Sequence, residues 1–386
     1  MTSRRRIVRT AVGALVLACA LTACGTSADS DAPQVLSDSA RAQVQRALDA
    51  AVAAGTAGVQ VVVTEGGRDW QATAGVGDAG TGSGFPADAH VRAGSNTKAF
   101  AATVIMQLVS AGSVQLDAPV ERYLPGLVQG EGIDGNRITV RNLMQHTSGL
   151  PEYLELPELD RDYADLLDTR FDAAELVRSA VRTMPAHFPP GEKAEYSNTN
   201  YLILGLLIER VTGRTFAAEV ATRITEPLGL GGTYIPAPGE LGLRDPHPLG
   251  YEVVDGKRTD MTRYDPSFAG AAGALVSTGA DLNRSFTALL SGSLLEPAQV
   301  TEMRRDPRPL TNRPAGIDYG LGLALLTVPC DRQVWGHGGS IPGFRTYDGV
   351  TADGRAVSVL ANERPASAAA AAALQSVFDT AICAGP

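Results

Sequence analysis

Apolar residues recur about every four positions across residues 36–54, with Val44, Leu48 and Val52 on one face, which predicts an amphipathic helix. The period then changes. Residues 58–64 (GVQVVVT) are rich in β-branched side chains and predict a strand, followed by a glycine turn and a second strand over 70–74. Residues 75–84 read as loop, and helical signals resume from Ser95 to about Gly112. Residues 117–265 read as mostly helix with long connections: a short helix over 138–145 capped by Thr139, then helices over 173–183 and 201–212. Phe188-Pro189-Pro190-Gly191 is a turn. Past Ala274 the pattern is mixed, with a helix over 279–291 and strands over 333–335, 345–350 and 356–361. Asp353-Gly354 sits between the last two strands and suits a hairpin. An alanine-rich helix over 366–381 closes the chain. Strands early and late, with helices between, predict an α/β (α+β) part from both ends, about 37–116 and 266–386, and a helical part, about 117–265.

Composition adds size. The chain has 386 residues, 44% hydrophobic and 19% charged, enough for a large core and unlike a disordered protein. The net charge of −9, with no basic patch in the mature part, argues against nucleic acid as a partner.

The N-terminus reads as an export signal. Arg4, Arg5, Arg6 and Arg9 precede an apolar run over 11–21 that is short for a bilayer span. Leu21-Thr22-Ala23-Cys24-Gly25 resembles a bacterial lipobox, which makes 1–24 a signal peptide and Cys24 the lipidated first mature residue. The alternative is plain cleavage near Ala23 and release. Ser3-Arg4-Arg5 also fits a twin-arginine signal. Residues 25–36 read as a flexible tether, leaving 37–386 as the folded part. The expected location is the outer face of a cytoplasmic membrane, held only through Cys24, or the medium. Outside the cytoplasm the two remaining mature cysteines, Cys330 and Cys383, are expected to pair, the alternative being two free thiols.

Positive charge in this chain is written almost wholly as arginine; its lysines are Lys98, Lys193 and Lys257. Lys98 lies three residues after Ser95 in RAGSNTKAF, so on a helix the two share a face. A serine needs a neighbour that accepts its proton before it can act as a nucleophile. Arginine stays charged, whereas burial can bring a lysine to its neutral form. Ser-x-x-Lys alone fits equally a helix capped by Ser95 or Thr97 with Lys98 at the surface. Tyr196-Ser197-Asn198 offers a phenol and an amide, though alone it fits a polar turn ahead of a helix. His337-Gly338-Gly339 would let a substrate backbone approach a strand edge, though alone it fits an ordinary hairpin.

In this order the three elements resemble the serine β-lactamase and penicillin-binding-protein family: Ser-x-x-Lys, Ser/Tyr-x-Asn, then Lys/His-x-Gly. The resemblance extends over nearly the whole mature chain, through ITVRNLMQHTSGLP, YSNTNYLILGLLIERVTG, DYGLGL and WGHGG, and is strongest toward exported D-alanyl-D-alanine carboxypeptidases of Gram-positive bacteria. It implies a five-stranded antiparallel sheet flanked by helices, beside a helical domain. It implies that Ser95 is acylated and that Lys98 and Tyr196 share the proton work. Asn198 would hold the substrate amide, His337 and Gly339 would line the site, and the N–H groups of Ser95 and Ser340 would form an oxyanion hole. No cofactor or metal is implied, and a monomer is expected. Substrates would be small peptides, esters, amides or β-lactams.

Three positions depart from the carboxypeptidase pattern. Ala324, after YGLGL, stands where an arginine would grip a terminal carboxylate. Gly338 replaces a hydroxyl residue, with Ser340 nearby, and Phe268 replaces a tryptophan. An acidic run over 151–168 is either a solvated loop or a preference for an amine-bearing substrate. The expected activity is therefore D-alanyl-D-alanine carboxypeptidase-like acyl transfer. The alternatives are a β-lactamase, esterase or D-amino-acid amidase on the same framework, and a non-catalytic penicillin-binding envelope protein.

Overall fold

Strand β1 (Gly58–Glu65) places Val59, Val61 and Val63 on one face and Gln60, Val62 and Thr64 on the other, and both faces are covered. In the computed structural model, which describes residues 35–159 and 167–385, this strand lies inside a fully antiparallel sheet. The valine face packs on helices α1 (Asp38–Ala53) and α7 (Ala368–Cys383), in a core with Val357, Val359, Leu374 and Phe378. The opposite face meets the main core, which includes α2 (Thr97–Ser110), α5 (Thr199–Thr212) and α6 (Gly279–Leu290). Asn283 of α6 donates from Nδ2 to the Val62 carbonyl and to Thr64 Oγ1, 3.0 Å each, which satisfies polar groups on that buried face.

The remaining strands are β2 (Arg68–Gly75), β3 (Arg308–Pro309), β4 (Ile317–Tyr319), β5 (Ala324–Thr327), β6 (Gln333–Ile341), β7 (Phe344–Thr351) and β8 (Ala356–Ala361). Their order across the sheet is β2-β1-β8-β7-β6-β5-β4-β3. The sheet thus has eight strands, correcting the five expected. The five long ones, β2 to β6 in that order, are extended by three short strands from the stretch that contains DYGLGL. Asp353-Gly354 joins β7 to β8 as its sequence suggests.

Between the early and late strands lie helices α3 (Val140–Met144), capped by Thr139, α4 (Ala173–Thr183) and α5, with two short strand pairs, Gln129–Gly130 with Ile133–Asp134 and Tyr251–Val254 with Lys257–Asp260, beside them. α2 and α5 are apolar almost all round and are buried accordingly. The leader with Cys24, and most of the acidic run's centre (160–166), lie outside the described residues. So does the tether, except its expected end: Val35 and Leu36 are buried against the second core, because the apolar pair gains more from packing under the sheet than from solvent.

Cys330, in the connection from β5 to β6, is bonded to Cys383 at the end of α7 across a sequence separation of 53. Replacing both by serine frees that loop in the unfolded chain. The expected loss in urea denaturation is about 2–4 kcal/mol, with the fold retained.

Candidate active site

The site begins where β6 outruns its neighbour. β5 pairs with β6 only as far as Gly336; from His337 to Ile341 the strand is paired with β7 alone. The single 3-10 turn Gly94–Asn96, which leads into α2, is pressed against that stretch. Gly94 has φ +52°, and a Cβ there would stand 2.9 Å from the Ser340 nitrogen. A Cβ on Gly339 would stand 2.0 Å from the Ala93 carbonyl oxygen. Only glycine fits at either position, and the pair brings the backbone of Ser95 beside that of Ser340. Asn96 ties the turn down from below, donating from Nδ2 to Thr346 Oγ1 (2.7 Å) and Asp348 Oδ2 (2.6 Å) on β7.

Lys98 is 0% exposed, so it is no surface residue, and neither Ser95 nor Thr97 caps the helix. Its Nζ lies 3.1 Å from Ser95 Oγ, 2.7 Å from Asn198 Oδ1 and 2.6 Å from the Ala272 carbonyl oxygen. Burial drives its pKa well below that of free lysine; the Glu152 carboxylate opposes this and the Arg313 charge adds to it. The amide and carbonyl oxygens can only accept. In the neutral amine they take both N–H bonds and leave the lone pair for Ser95.

Asn198 is held in that role by Glu152, whose Oε2 accepts from the Asn198 nitrogen (2.9 Å) and Nδ2 (2.8 Å). That fixes the amide so Oδ1 faces Lys98. Glu152 Oε1 accepts from the Leu154 nitrogen at 3.2 Å, so both oxygens are engaged inside the protein. Burial raises the Glu152 pKa, against the hydrogen bonds that lower it.

Tyr196 completes the group. Burial raises its pKa, while its interaction with the Ser95 hydroxyl pulls the other way, so the phenol keeps its proton. Its ring stacks on His146, 4.2 Å between centroids, and its backbone is gripped from both sides by Asn312: the Tyr196 nitrogen donates to Oδ1 (2.8 Å) and Nδ2 donates to the Tyr196 carbonyl (3.0 Å). His146 is buried and neutral, with its Nδ1 accepting from the Ser197 nitrogen (3.2 Å) and Asn200 Nδ2 (3.0 Å).

His337 is buried, and desolvation above all pushes it down to about 3. Its Nδ1 lies 2.6 Å from the Gly338 carbonyl, which can only accept, so the ring proton is assigned to Nδ1 and Nε2 accepts from the Tyr319 hydroxyl at 2.8 Å. Ser95, Lys98, Tyr196, Asn198, His337, Gly339 and Ser340 therefore converge. Ala324 is buried instead in a small apolar cluster with Tyr196 and Tyr319, where an unpaired charge would be desolvated. Phe268 packs on Tyr264, with centroids 6.0 Å apart.

Glu152, His146, Tyr319 and Asn312 escaped sequence reasoning as site residues. His146 and Tyr319 lie inside HTSGLP and DYGLGL, which carried the resemblance without roles; Glu152 was hidden in an acidic run; nothing marked Asn312.

Comparison with known proteins places the chain in a family. The Beta-lactamase family model matches residues 44–381. Penicillin-binding protein 4* of Bacillus subtilis (strain 168) is 29% identical over 264 residues, 65% of this chain and 56% of that protein. The chain spans about half the length of the curated relatives it matches in this way. The crystal structure of a D-stereospecific amidohydrolase from Streptomyces sp. superposes with TM-score 0.81 at 35% identity, over 89% of this chain and 99% of that one. D-amino acid amidase from Ochrobactrum anthropi SV3 superposes with TM-score 0.79 at 28% identity, over 90% and 98%.

The carboxyl that holds Asn96 titrates unusually: burial raises Asp348 to about 7. Its folded pKa lies above the unfolded value of 3.8, so its proton stays bound in the native state while the unfolded chain loses it. The associated stability is present below pH 4 and is lost as pH rises toward 7. In Asp348→Asn this slope should vanish, and melting curves at pH 4 and pH 8 should show the variant gaining several degrees on the wild type at the higher pH.

Proposed function

The chain belongs to the β-lactamase family of serine hydrolases, and from that premise we propose that it cleaves small peptides and amides with a D-configured acyl residue through a Ser95 acyl-enzyme. One observation carries the mechanism: the Lys98 amine has its two N–H bonds committed to Asn198 Oδ1 and the Ala272 carbonyl, and its third position faces Ser95 Oγ.

The lone pair takes the Ser95 proton as Oγ bonds to the scissile carbonyl carbon. The carbonyl oxygen becomes an oxyanion between the N–H groups of Ser95 and Ser340, where preorganised donors are worth about 10²–10³ in rate each. Tyr196, a neutral phenol, gives its proton to the departing nitrogen as the C–N bond breaks, and recovers one from Lys98. Water then takes the leaving group's place and the proton path runs in reverse, releasing the acid and restoring Ser95. Asn198 positions Lys98 and offers Nδ2 on the substrate side. His337, neutral and locked by Tyr319, shapes the wall of the cleft and contributes no charge.

The D-configuration is supported by the likeness to the Streptomyces amidohydrolase and the Ochrobactrum amidase, each covered almost end to end. D-alanyl-D-alanine carboxypeptidase action belongs to the same class. The unpaired edge of β6 from His337 to Ile341 supports it, since a peptide backbone can add there as a strand. In the same proposal the enzyme works outside the cytoplasm, anchored through Cys24 or released.

Intact-mass measurement after mixing with a D-phenylalanine ester or a penicillin should show one acyl group per chain in the wild type and none in Ser95→Ala. D-Amino-acid amides should be turned over at least about 100-fold better than their L-enantiomers. Absence of both the adduct and turnover would sink the proposal. Lys98→Arg should lose at least about 10³-fold in acylation, because arginine holds its proton. In the wild type, acylation should fall as pH drops through the Lys98 pKa, since only the neutral amine is active.

A further inference from the structure

Asn96 follows the nucleophile directly, and the group that seats it is a buried acid. Its Nδ2 faces the Ala93 carbonyl (3.2 Å), Thr346 Oγ1 (2.7 Å) and Asp348 Oδ2 (2.6 Å), and the carbonyl fixes the amide because it can only accept. Asn96, Thr346 and Asp348 are all 0% exposed. Asn96 and Thr346 serve the Asp348 carboxyl, yet among the described residues no donor meets its Oδ1. A carboxylate oxygen sealed away in that state is costly.

The hydroxyl that bears on this carboxyl from the next strand is Ser358, directly opposite on β8. Its single proton is already spent: Ser358 Oγ donates to Asn283 Oδ1 at 2.8 Å. Asn283 cannot turn over to release it, because its Nδ2 must face the Val62 carbonyl. The same Nδ2 donates to Thr64 Oγ1, whose own proton goes to Asp69 Oδ1 at 2.5 Å. Every donor in this line points from β7 toward β2. A hydrogen between Asp348 and Ser358 has to come from Asp348, so the acid is protonated. Burial acts in the same direction and raises it to about 7.

Few charges face this acid. Arg345, on its own strand, favours the anion. His337, opposite on β6, is neutral. Lys98, just past Asn96, is turned to Asn198 and Ala272. β8 carries no charged residue. α6 presents Asn283, while its Asp281 accepts from Gly232 and Thr233 and has Arg284 beside it. α7, with Asp379, covers the other face of the sheet, where Tyr347 meets Phe378.

We propose that Asp348 is a positioning residue for the reaction: as a neutral acid it seats Asn96 and so the Ser95 turn, and the enzyme acylates well only while that proton is in place. Ionised, Oδ1 would carry charge with no donor, and the carboxyl could be satisfied only by pulling Asn96 or Ser358 out of place. The displacement would be felt at Ser95, where small misplacements cost rate steeply. This rests on the serine-hydrolase reading above.

The test is kcat/KM from about pH 5 to 9 for N-acetyl-D-phenylalanine methyl ester, a substrate with no group that titrates there, with circular dichroism followed over the same range. Wild-type kcat/KM should fall at least about tenfold between pH 7 and pH 9 while the fold is retained. The other site groups give no such fall, since neutral Lys98 is the active form, burial raises Tyr196 away from this range, and His146 and His337 are already neutral. Asp348→Asn reproduces the neutral acid, with an N–H for Ser358. It should stay within about threefold of the wild type at pH 6 and show no alkaline fall. Asp348→Ala should lose at least about tenfold at pH 6; if it does not fold, the asparagine variant decides. Asn96→Ala should lose a similar factor and also show no alkaline fall, although Asp348 is still there to titrate. A merely structural role for Asp348 would keep the fall in Asn96→Ala. An alkaline fall shared by the wild type and Asp348→Asn, or none in the wild type, would overturn the positioning role while ester turnover left the hydrolase standing. A wild type that neither turns over the ester nor is acylated at Ser95 would overturn both.

Discussion

A lysine amine with no access to water is the constraint on which the site is built. A buried ammonium costs several kcal/mol unless it is fully compensated, so the folded protein favours the neutral form. Neutrality alone would not make Lys98 a base for Ser95, because a freely rotating amine points its lone pair anywhere. Asn198 Oδ1 and the Ala272 carbonyl remove that freedom by claiming both N–H bonds. Asn198 could itself flip, and Glu152 prevents it by accepting from both of its nitrogens. The chain of constraint therefore runs from a carboxylate to an amide to an amine to a hydroxyl, and each link fixes the orientation of the next.

The sheet supplies the rigidity this chain needs. Gly94 and Gly339 let two backbones meet at a distance no side chain would permit, and Asn96 pins the same turn to Thr346 and Asp348. The Ser95 turn is thus anchored to β6 on one side and β7 below. β7 sits between β6 and β8, and the valine face of the sheet rests on α1 and α7, which the Cys330–Cys383 bond ties back toward β6. Packing far from the chemistry holds the Ser95 and Ser340 nitrogens side by side.

Much of this was legible in the chain. The long strands and helices announced themselves because each spans enough residues to show a period of two or near four, and because Asp353-Gly354 and Thr139 mark their ends. β3, β4 and β5 were not legible: two to four residues carry no period, and they form only because β6 offers an edge. Ser95 and Lys98 could be paired from spacing and chemical need, and Tyr196, Asn198 and His337 were joined to them through the family resemblance that the order of the three motifs carries. Their supports could not. Glu152 meets Asn198 across 46 residues and Asn312 meets Tyr196 across 116, and no local pattern encodes a contact over such separations. Glu152 was further disguised, since its acidic neighbours make it look like one more solvated charge.

His337 shows why charge at such a site has to be read from geometry. A histidine where related motifs carry lysine or histidine invites the assumption of a positive charge. Here the Gly338 carbonyl takes the Nδ1 proton and the Tyr319 hydroxyl fills Nε2, so the ring has both nitrogens satisfied as a neutral group. Protonating it would set Nε2–H against a hydroxyl that now donates to it, in a desolvated setting beside Lys98. A histidine at this position therefore enters the site as a fixed, neutral hydrogen-bonding wall, and its charge is set by the two oxygens that face its ring nitrogens.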